Sequence, residues 1–378
     1  MKILPILILI CLIGCSTSEK TEEISDEIKF GAYFPMTGAY AAGGQMTMEG
    51  IKLANKLRPR VTDKNIRVIL VDNKSDKVES ANAVSRLINS EKVVAIIGTY
   101  ASSNAIAGAE LCERAGVPMI APSATNPMVT QGKKYVFRAC FIDPFQGEVM
   151  AKYAINKLNT KTVVIIQDLA ADYSVGLSNF FKKSFVKLTE NEDSILETLS
   201  YQTGDQDFTA QLTKTKSLNP DCIFIPGYFG DIALFARQAQ EVGIKAPLLA
   251  ADAAQAPELI EIGGSAVEGL IFSNHYAPES SSEGIGKKFV DAFKKEYNSI
   301  PNAFSALGFD VYNMIADVIE QSGDPSPEKI KDGIKNLKDY QAVTGKITID
   351  ENGNARKSAV ILMVKNGKFK YIDVVHPS

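Results

Sequence analysis

The chain has 378 residues, of which 45% are hydrophobic and 22% are charged, as in an ordinary water-soluble globular protein. This length exceeds what one hydrophobic core usually supports, so we expect two α/β lobes. The formal net charge at pH 7 is −3. This near-neutral balance argues against a nucleic-acid partner, because phosphate neutralisation requires a basic surface.

Residues 1–14 have the pattern of a signal peptide. A positive charge at Lys2 precedes an apolar run that is too short to span a hydrocarbon layer of ~30 Å as a helix. The run ends in Leu-Ile-Gly-Cys, which is similar to a lipobox, so Cys15 is the predicted acylated residue. Residues 15–27 then form a lipidated tether. An ordinary cleaved signal with an incidental cysteine is the alternative.

These features predict an exported protein whose lipid holds it to the cell envelope, in the periplasm or on the outer face of the membrane. The polar residues 16–23 contain no candidate for a hydrophobic core, as expected of a flexible tether.

From Ile28 onward, short apolar runs alternate with amphipathic stretches. The β-branched runs are typical of parallel strands that are buried on both faces, and they occupy residues 66–71, 93–97, 162–166 and 221–225. Helical periodicity separates these runs, which predicts βαβ units and doubly wound parallel sheets. One such series ends near Pro122, and a second extends from about Lys161 to Ala250.

The last third of the chain is less regular. Helices predominate from Glu283 to Leu337, and two apolar runs near the C-terminus flank Asn366-Gly367, which is a strong hairpin signal. Two α/β lobes followed by a mixed segment predict a chain that crosses between the lobes more than once.

The inventory of catalytic and metal-binding groups is small. The chain has two histidines, His275 and His376, and lacks the motifs of zinc proteases, serine hydrolases and phosphate-binding loops. We expect His275 to lie at the surface or in a hinge. The sequence therefore predicts a protein that is not an enzyme and uses no cofactor. A secreted hydrolase with paired carboxylates is the catalytic alternative.

Three further cysteines lie far apart, at Cys112, Cys140 and Cys222, without the spacing of a metal site or a redox pair. We expect them to be buried structural thiols.

Polar and aromatic residues directly follow several predicted strands. Ser102 and Ser123 lie on loops after two consecutive strands of the first series, while Tyr173, Tyr228 and Asp252 follow strands of the second series. Ligands of open α/β sheets bind at the carboxyl ends of strands, where such loops lie. Helix capping by the hydroxyl groups and packing by the tyrosines are equally consistent with this pattern.

Between Ile28 and about Phe369 the sequence resembles the branched-chain amino-acid (leucine/isoleucine/valine) binding proteins of ABC importers. Short motifs in a shared order carry this resemblance, and they occupy residues 34–38, 97–98, 102–103, 120–125, 137–138, 207–208, 239–243 and 268–270. The resemblance implies the type I periplasmic binding fold, in which two Rossmann-like lobes are joined by about three crossovers and close as a hinge.

The resemblance also implies a role for residues of the first lobe. Ser102 matches a serine that binds the ligand carboxylate, and Ser123 matches a position that acts through its backbone. Thr125 matches a threonine that holds the carboxylate and the amine. Tyr100 and Ala101 lie beside these residues and are included in the implied site.

The second lobe would complete the site. Tyr173 and Tyr228 match two tyrosines of the family, and Asp252 stands where the family has an acidic residue against the ammonium group. The chain departs from the family at two points. The family's aromatic residue after the first motif is shifted or missing, with Tyr40 as its stand-in. Ser75 and Ala101 occupy the approximate positions of the cysteines that form a disulfide in some relatives.

By resemblance, lobe one comprises residues 28–142 and 276–340, and lobe two comprises residues 143–275 and 341–378. The expected ligand is an aliphatic, branched-chain amino acid, and the expected partners are an ABC permease, its ATPase and the membrane that holds the lipid anchor. The alternatives are the same fold with an amide, urea or aromatic acid as ligand, and a ligand-sensing module for a signalling partner.

Overall fold

The structure is a computed structural model that describes residues 27–280 and 283–377. The predicted signal peptide, the predicted lipidation site Cys15 and nearly all of the tether lie outside the described residues. None of the helices in the described ranges is both long and apolar enough to cross a membrane.

The first sheet has six strands in the order β2-β3-β1-β4-β5-β6. Its strands are β1 (Glu27–Phe34), β2 (Arg60–Val61), β3 (Lys64–Asp72), β4 (Ala95–Gly98), β5 (Met119–Ala121) and β6 (Val136–Arg138). All neighbouring strands are parallel except the short β2–β3 pair. The sheet packs with helices α1 (Ala41–Leu57), α2 (Lys77–Asn89) and α3 (Ser102–Ala115).

The second sheet has seven strands in the order β16-β15-β11-β10-β9-β7-β8. Its strands are β7 (Val163–Asp168), β8 (Ile195–Tyr201), β9 (Cys222–Phe224), β10 (Leu248–Ala250), β11 (Ile271–Asn274), β15 (Ala359–Val364) and β16 (Phe369–Val375). The first five are parallel, and the predicted C-terminal hairpin adds β15 and β16 in antiparallel orientation.

Helices of the second sheet are α4 (Asp143–Leu158), α5 (Asp172–Thr189), α6 (Thr209–Leu218), α7 (Phe229–Glu241) and α8 (Pro257–Gly263). The later helices are α9 (Gly284–Tyr297), α10 (Ala303–Ser322) and α11 (Pro327–Lys335). They return to the first sheet, where α10 packs along α1. Short 3-10 helices lie at Pro127–Val129, Glu192–Ser194, Asp252–Ala254, Gly264–Val267 and Pro278–Ser280.

Sequence determines where α10 begins and what it contacts. Asn302 caps its first turn by accepting from Ser305 N, and the Ser305 hydroxyl accepts from Asn302 N in return. Two glycines let the backbones of α1 and α10 approach each other. A Cβ atom at Gly50 would lie 1.8 Å from the Ser305 carbonyl oxygen, and one at Gly308 would lie 2.3 Å from the Thr47 carbonyl oxygen.

A small third sheet follows α11 and consists of β12 (Tyr340–Ala342), β13 (Gly345–Ile349) and β14 (Ala355–Arg356). The backbone N–H groups of Val343 and Thr344 donate to the Asp310 carboxylate of α10, at 2.7 and 3.0 Å. These bonds join the small sheet to the first sheet and its helices. We call the first sheet, its helices and the small sheet lobe one. The second sheet with α4–α8 is lobe two.

In the part of the chain that the structure describes, the backbone passes between the two large sheets three times, after β6, after β11 and after β14. Two α/β lobes with about three crossovers were predicted. The lobe boundaries stay a prediction, except that residues 341–356, assigned to lobe two, make the lobe-one bonds just described. We propose that the last boundary lies after Arg356, because β15 is the next strand to join the second sheet.

The third crossing contains a buried lysine. Lys357 is 3% exposed, and its Nζ donates to Thr344 Oγ1 at 2.5 Å. Burial lowers the pKa of Lys357 to about 8, and the Asp310 carboxylate counteracts this by raising it. Since Thr344 and Asp310 both belong to lobe one, the amine ties this crossing to that lobe.

Alanine at Gly50 is expected to destabilise the protein, because the new methyl group would overlap a backbone carbonyl that no side-chain rotation can move. Overpacking of this kind costs about 1–3 kcal/mol in free energy of unfolding. Urea unfolding measures the loss. The control is Gly230→Ala in α7, where nothing lies within 4 Å of an added Cβ. Equal stability of the two variants would contradict the close approach of α1 to α10.

Candidate functional site

The polar and aromatic residues predicted after the strands meet in a cleft between the lobes. Ser102 is the first residue of α3, Tyr173 is the second residue of α5, and Tyr228 immediately precedes α7. All predicted site residues are at most 4% exposed, namely Tyr100, Ala101, Ser102, Ser123, Thr125, Tyr173, Tyr228 and Asp252. The lobes are therefore closed over this cleft.

On the lobe-one side, two loops are bonded to each other. The Ser102 hydroxyl accepts from Asn126 N at 3.2 Å, and the Ser123 hydroxyl donates to the Tyr100 carbonyl at 3.3 Å. The N–H groups at the start of α3 and the hydroxyl groups nearby provide donors for an anionic group.

A fully buried arginine holds the second of these loops. The guanidinium of Arg138 donates to the carbonyls of Ala124 at 2.7 Å and Asn126 at 2.9 Å, on either side of Thr125. It also donates to Thr130 Oγ1 at 3.1 Å. Bonds to a charged donor are stronger than bonds between neutral groups, so Thr125 is held on a rigid backbone.

On the lobe-two side, Asp252 is the charged centre of the site. Its Oδ1 accepts from Gln146 Nε2 at 2.7 Å and from the Tyr173 hydroxyl at 2.9 Å, and its Oδ2 lies 3.2 Å from His275 Nε2. Burial lowers the pKa of His275 from its ordinary value of 6.5, although the contact with Asp252 opposes this. His275 is therefore neutral at pH 7.

Asp252 is thus hydrogen-bonded but not electrically compensated. Among the described residues, no lysine or arginine lies within ion-pair distance of its carboxylate. A buried negative charge is costly unless a cation accompanies it. The site is therefore suited to a ligand that brings a positive group.

Of the two positions predicted for His275, the surface is wrong, whereas a hinge agrees with its place directly after β11, where the chain makes its second crossing. The side chain is 1% exposed, and its ring lies against Phe141 with 3.9 Å between ring centroids. His275 directly follows β11, at the same edge of the sheet as Asp252, which explains its burial in the cleft. The same strand-end signal that selected Asp252 could have selected it.

Gln146 is a second site residue that sequence reasoning missed. It projects from the first turn of α4 and bonds both Asp252 and the Ser273 hydroxyl, the latter at 3.0 Å. A glutamine in an ordinary helical pattern carries no signal of such a role. The Nδ1 atom of His275 has no hydrogen-bond partner among the described residues.

Aromatic rings line the rest of the cleft and gather around Tyr228. The ring centroid of Tyr228 lies 4.1 Å from that of Tyr40, 5.5 Å from that of Tyr173 and 5.9 Å from that of Tyr100. Tyr100 also meets Phe304 edge to face at 4.9 Å. Tyr40, the predicted stand-in for the family's aromatic residue, is therefore part of the cluster.

The remaining thiols, Cys112, Cys140 and Cys222, are buried and free. Burial raises the pKa of each, which makes them poor nucleophiles. Within the described ranges no group of three or more acidic, histidine or cysteine side chains could hold a metal ion.

Two α/β lobes that close over a buried, polar and aromatic cleft define a two-lobed ligand-binding protein. The chain belongs to the periplasmic binding protein family, whose profile matches residues 27–368. The predicted family and fold class are thereby confirmed.

Similar proteins of known structure cover nearly the whole chain. A leucine binding protein from Thermotoga maritima is 46% identical, covers 93% of this chain and 99% of its own length, and superposes with a TM-score of 0.90. A branched-chain amino acid transporter substrate binding protein from Streptococcus pneumoniae, solved with isoleucine, is 32% identical and covers 93% of this chain and 100% of its own, with a TM-score of 0.87.

Other relatives differ in the ligand they are named for. The leucine-, isoleucine-, valine-, threonine- and alanine-binding protein of Pseudomonas aeruginosa is 28% identical, and the match covers 88% of each chain. A solute binding protein from R. palustris, solved with 4-hydroxybenzoate, is 26% identical, covers 93% of this chain and 97% of its own, and has a TM-score of 0.83.

Substitution of Asp143, which lies beside Thr125, is expected to change the pH dependence of stability. Burial raises the pKa of this carboxyl from 3.8 to about 8, although the Thr125 hydroxyl and Arg138 lower it. Between these values the folded state holds one proton more than the unfolded chain, so stability falls as pH rises. Asp143→Asn removes this loss.

Melting temperatures at pH 5 and pH 8 measure the effect. The advantage of Asp143→Asn over the unmodified protein should be larger at pH 8, whereas Asp291→Asn on the exposed surface of α9 should show no such increase. An advantage that is the same at both pH values would show that Asp143 ionises normally in the folded protein.

Proposed function

We propose that the chain is the extracytoplasmic solute-binding receptor of an ABC importer and that it binds an aliphatic, branched-chain amino acid between its lobes. One observation carries the proposal. The uncompensated carboxylate of Asp252 is buried in lobe two, and the cleft's lobe-one side presents hydroxyl groups and the N-terminus of α3. This polarity matches the ammonium and carboxylate groups of an α-amino acid. The names of the leucine- and isoleucine-binding relatives support it.

Each half of the site would bind one end of the ligand. Ser102, Thr125 and the backbone at Ser123 would donate to the ligand carboxylate. Asp252 would accept from the ammonium group, with Tyr228 beside it. Tyr173 would hold the Asp252 carboxylate in place through the bond between them.

The aliphatic side chain of the ligand would lie against the aromatic rings of the cleft and the small Ala101. Burial of this apolar surface adds to the charge-assisted hydrogen bonds. A micromolar dissociation constant corresponds to about −8.2 kcal/mol, which such a set of contacts can supply.

Lobe closure would convert ligand binding into a signal for transport. Lobe one would capture the amino acid first, and lobe two would add Asp252 and the tyrosines only in the closed form. The closed form would then dock on an ABC permease and its ATPase. The lipid anchor at Cys15 would hold the receptor at the membrane. Nucleic acid would not be a partner.

The second candidate is the same receptor with an aromatic acid, an amide or urea as ligand. The ring cluster around Tyr228 and the relative solved with 4-hydroxybenzoate favour an aromatic acid. Asp252 separates the candidates, because an anionic ligand without an amine would be repelled by this carboxylate. A ligand-sensing role would use the same site with a signalling partner in place of the permease.

The amino-acid ligand is tested by thermal shift of the soluble chain beginning near Glu19. Leucine, isoleucine or valine should raise the melting temperature, because a ligand that binds only the folded state stabilises it by mass action. Asp252→Asn should lower the affinity at least 10-fold, since it removes the charge that pairs with the ammonium group. Asp291→Asn is the matched control. A shift with 4-hydroxybenzoate alone would reject the amino acid.

The lipid anchor is tested by expression of the full chain and separation of membranes from the soluble fraction. Cys15→Ser should move the protein from the membrane pellet to the soluble fraction, because it removes the acylated thiol. The matched control is Cys11→Ser, which should leave the protein in the pellet. Release by both variants, or by neither, would argue against acylation of Cys15.

A further inference from the structure

Two hydrogen bonds and an ion pair link the lobes at one point beside the site, and three of the four residues involved are neighbours in sequence of proposed ligand residues. Asp172 of lobe two precedes Tyr173, while Ser103 and Asn126 of lobe one follow Ser102 and Thr125. The N–H of Asp172 donates to Ser103 Oγ at 2.9 Å, and Nδ2 of Asn126 donates to the Asp172 carbonyl at 2.7 Å.

The first turn of α5 offers a free backbone donor for one of these bonds. Asp172 is the first residue of α5, and the N–H groups of the first helical turn have no partner within their own helix. The partner here comes from the opposite lobe. Gly176, one turn further along α5, leaves the space for the amide of Asn126, because a Cβ atom there would lie 2.7 Å from Asn126 Nδ2.

Asn126 is fixed on its own lobe at the same time. Its Oδ1 accepts from Met128 N at 2.9 Å and caps a 3-10 helix, and its carbonyl accepts from Arg138. The side chain is 5% exposed, so its amide is already oriented toward Asp172. The ion pair between Lys77 and Asp172 is solvent-exposed on both sides and contributes little.

We infer that Asn126 is a positioning residue whose bond to Asp172, together with the bond from Asp172 to Ser103, aligns the two halves of the binding site and stabilises the closed lobes. Asn126 lies next to Thr125 and Asp172 lies next to Tyr173. The bonds therefore fix where the ligand residues of lobe one lie relative to those of lobe two. The inference rests on the proposed function only in that a ligand occupies this cleft.

Asn126→Asp tests the bond with minimal change. One carboxylate oxygen can still accept from Met128 N, but the other would face the Asp172 carbonyl without a proton to donate. The matched control is Asn191→Asp, because Asn191 caps another 3-10 helix through the same kind of bond to Asp193 N and lies on the surface of lobe two.

Gly176→Ala blocks the same bond from lobe two. Alanine is a better helix former than glycine, so this variant should fold at least as well as the unmodified chain while its methyl group displaces the Asn126 amide. Gly230→Ala in α7 is its control, since an added Cβ there meets nothing within 4 Å.

The readout is the distance between spin labels on cysteines introduced at Val78 in lobe one and Leu169 in lobe two, which are 68% and 51% exposed. The three native thiols in the described ranges are buried and should not react. With or without ligand, the fraction of molecules at the short distance should be lower in Asn126→Asp and Gly176→Ala than in the unmodified protein. Both controls should match the unmodified protein.

Affinity for L-leucine is the second readout, and both test variants should weaken it about 10-fold. A short-distance fraction that is unchanged in both test variants would overturn the inference. If no amino acid binds, the proposed function fails, while the ligand-free distances still decide whether Asn126 holds the lobes together.

Discussion

The architecture of the cleft depends on one buried negative charge. Asp252 receives hydrogen bonds from Gln146 of α4, Tyr173 of α5 and His275 after β11, so three separate elements of lobe two converge on it. Each donor is neutral at pH 7, which leaves the charge available. A lysine or arginine in place of any donor would compensate this charge within lobe two and leave none for a ligand ammonium group.

Lobe one provides the complementary features of a rigid anion site. The Arg138 guanidinium donates its hydrogen bonds to the carbonyls on either side of Thr125 and not into the cleft. Its positive charge therefore orients the loop without drawing an anion to itself, and neutral hydroxyl and N–H groups are left to meet the ligand. The lobes differ in polarity, so the proposed amino-acid ligand would bind in one orientation.

Much of this could be predicted from sequence because strand-end loops converge at one edge of a parallel sheet. Buried β-branched runs located the strands, and the loops after them contained Ser102, Thr125 and Asp252. The features that the sequence did not predict depend on tertiary packing. Gln146 lies in an ordinary amphipathic helix, and residues 341–356 form strands whose pattern does not specify which sheet they join. The sequence did not decide between a surface and a hinge position for His275, because a single histidine carries no information about its burial.

The ring cluster around Tyr228 gives the protein an intrinsic optical signal. The chain contains no tryptophan, so its near-ultraviolet absorption and circular dichroism come chiefly from tyrosine. Tyr40 belongs to lobe one and Tyr228 to lobe two, and their rings lie 4.1 Å apart only when the lobes are together. Coupling between the two transition dipoles falls steeply with distance, so the tyrosine dichroism band should change whenever the cleft opens, without any label attached.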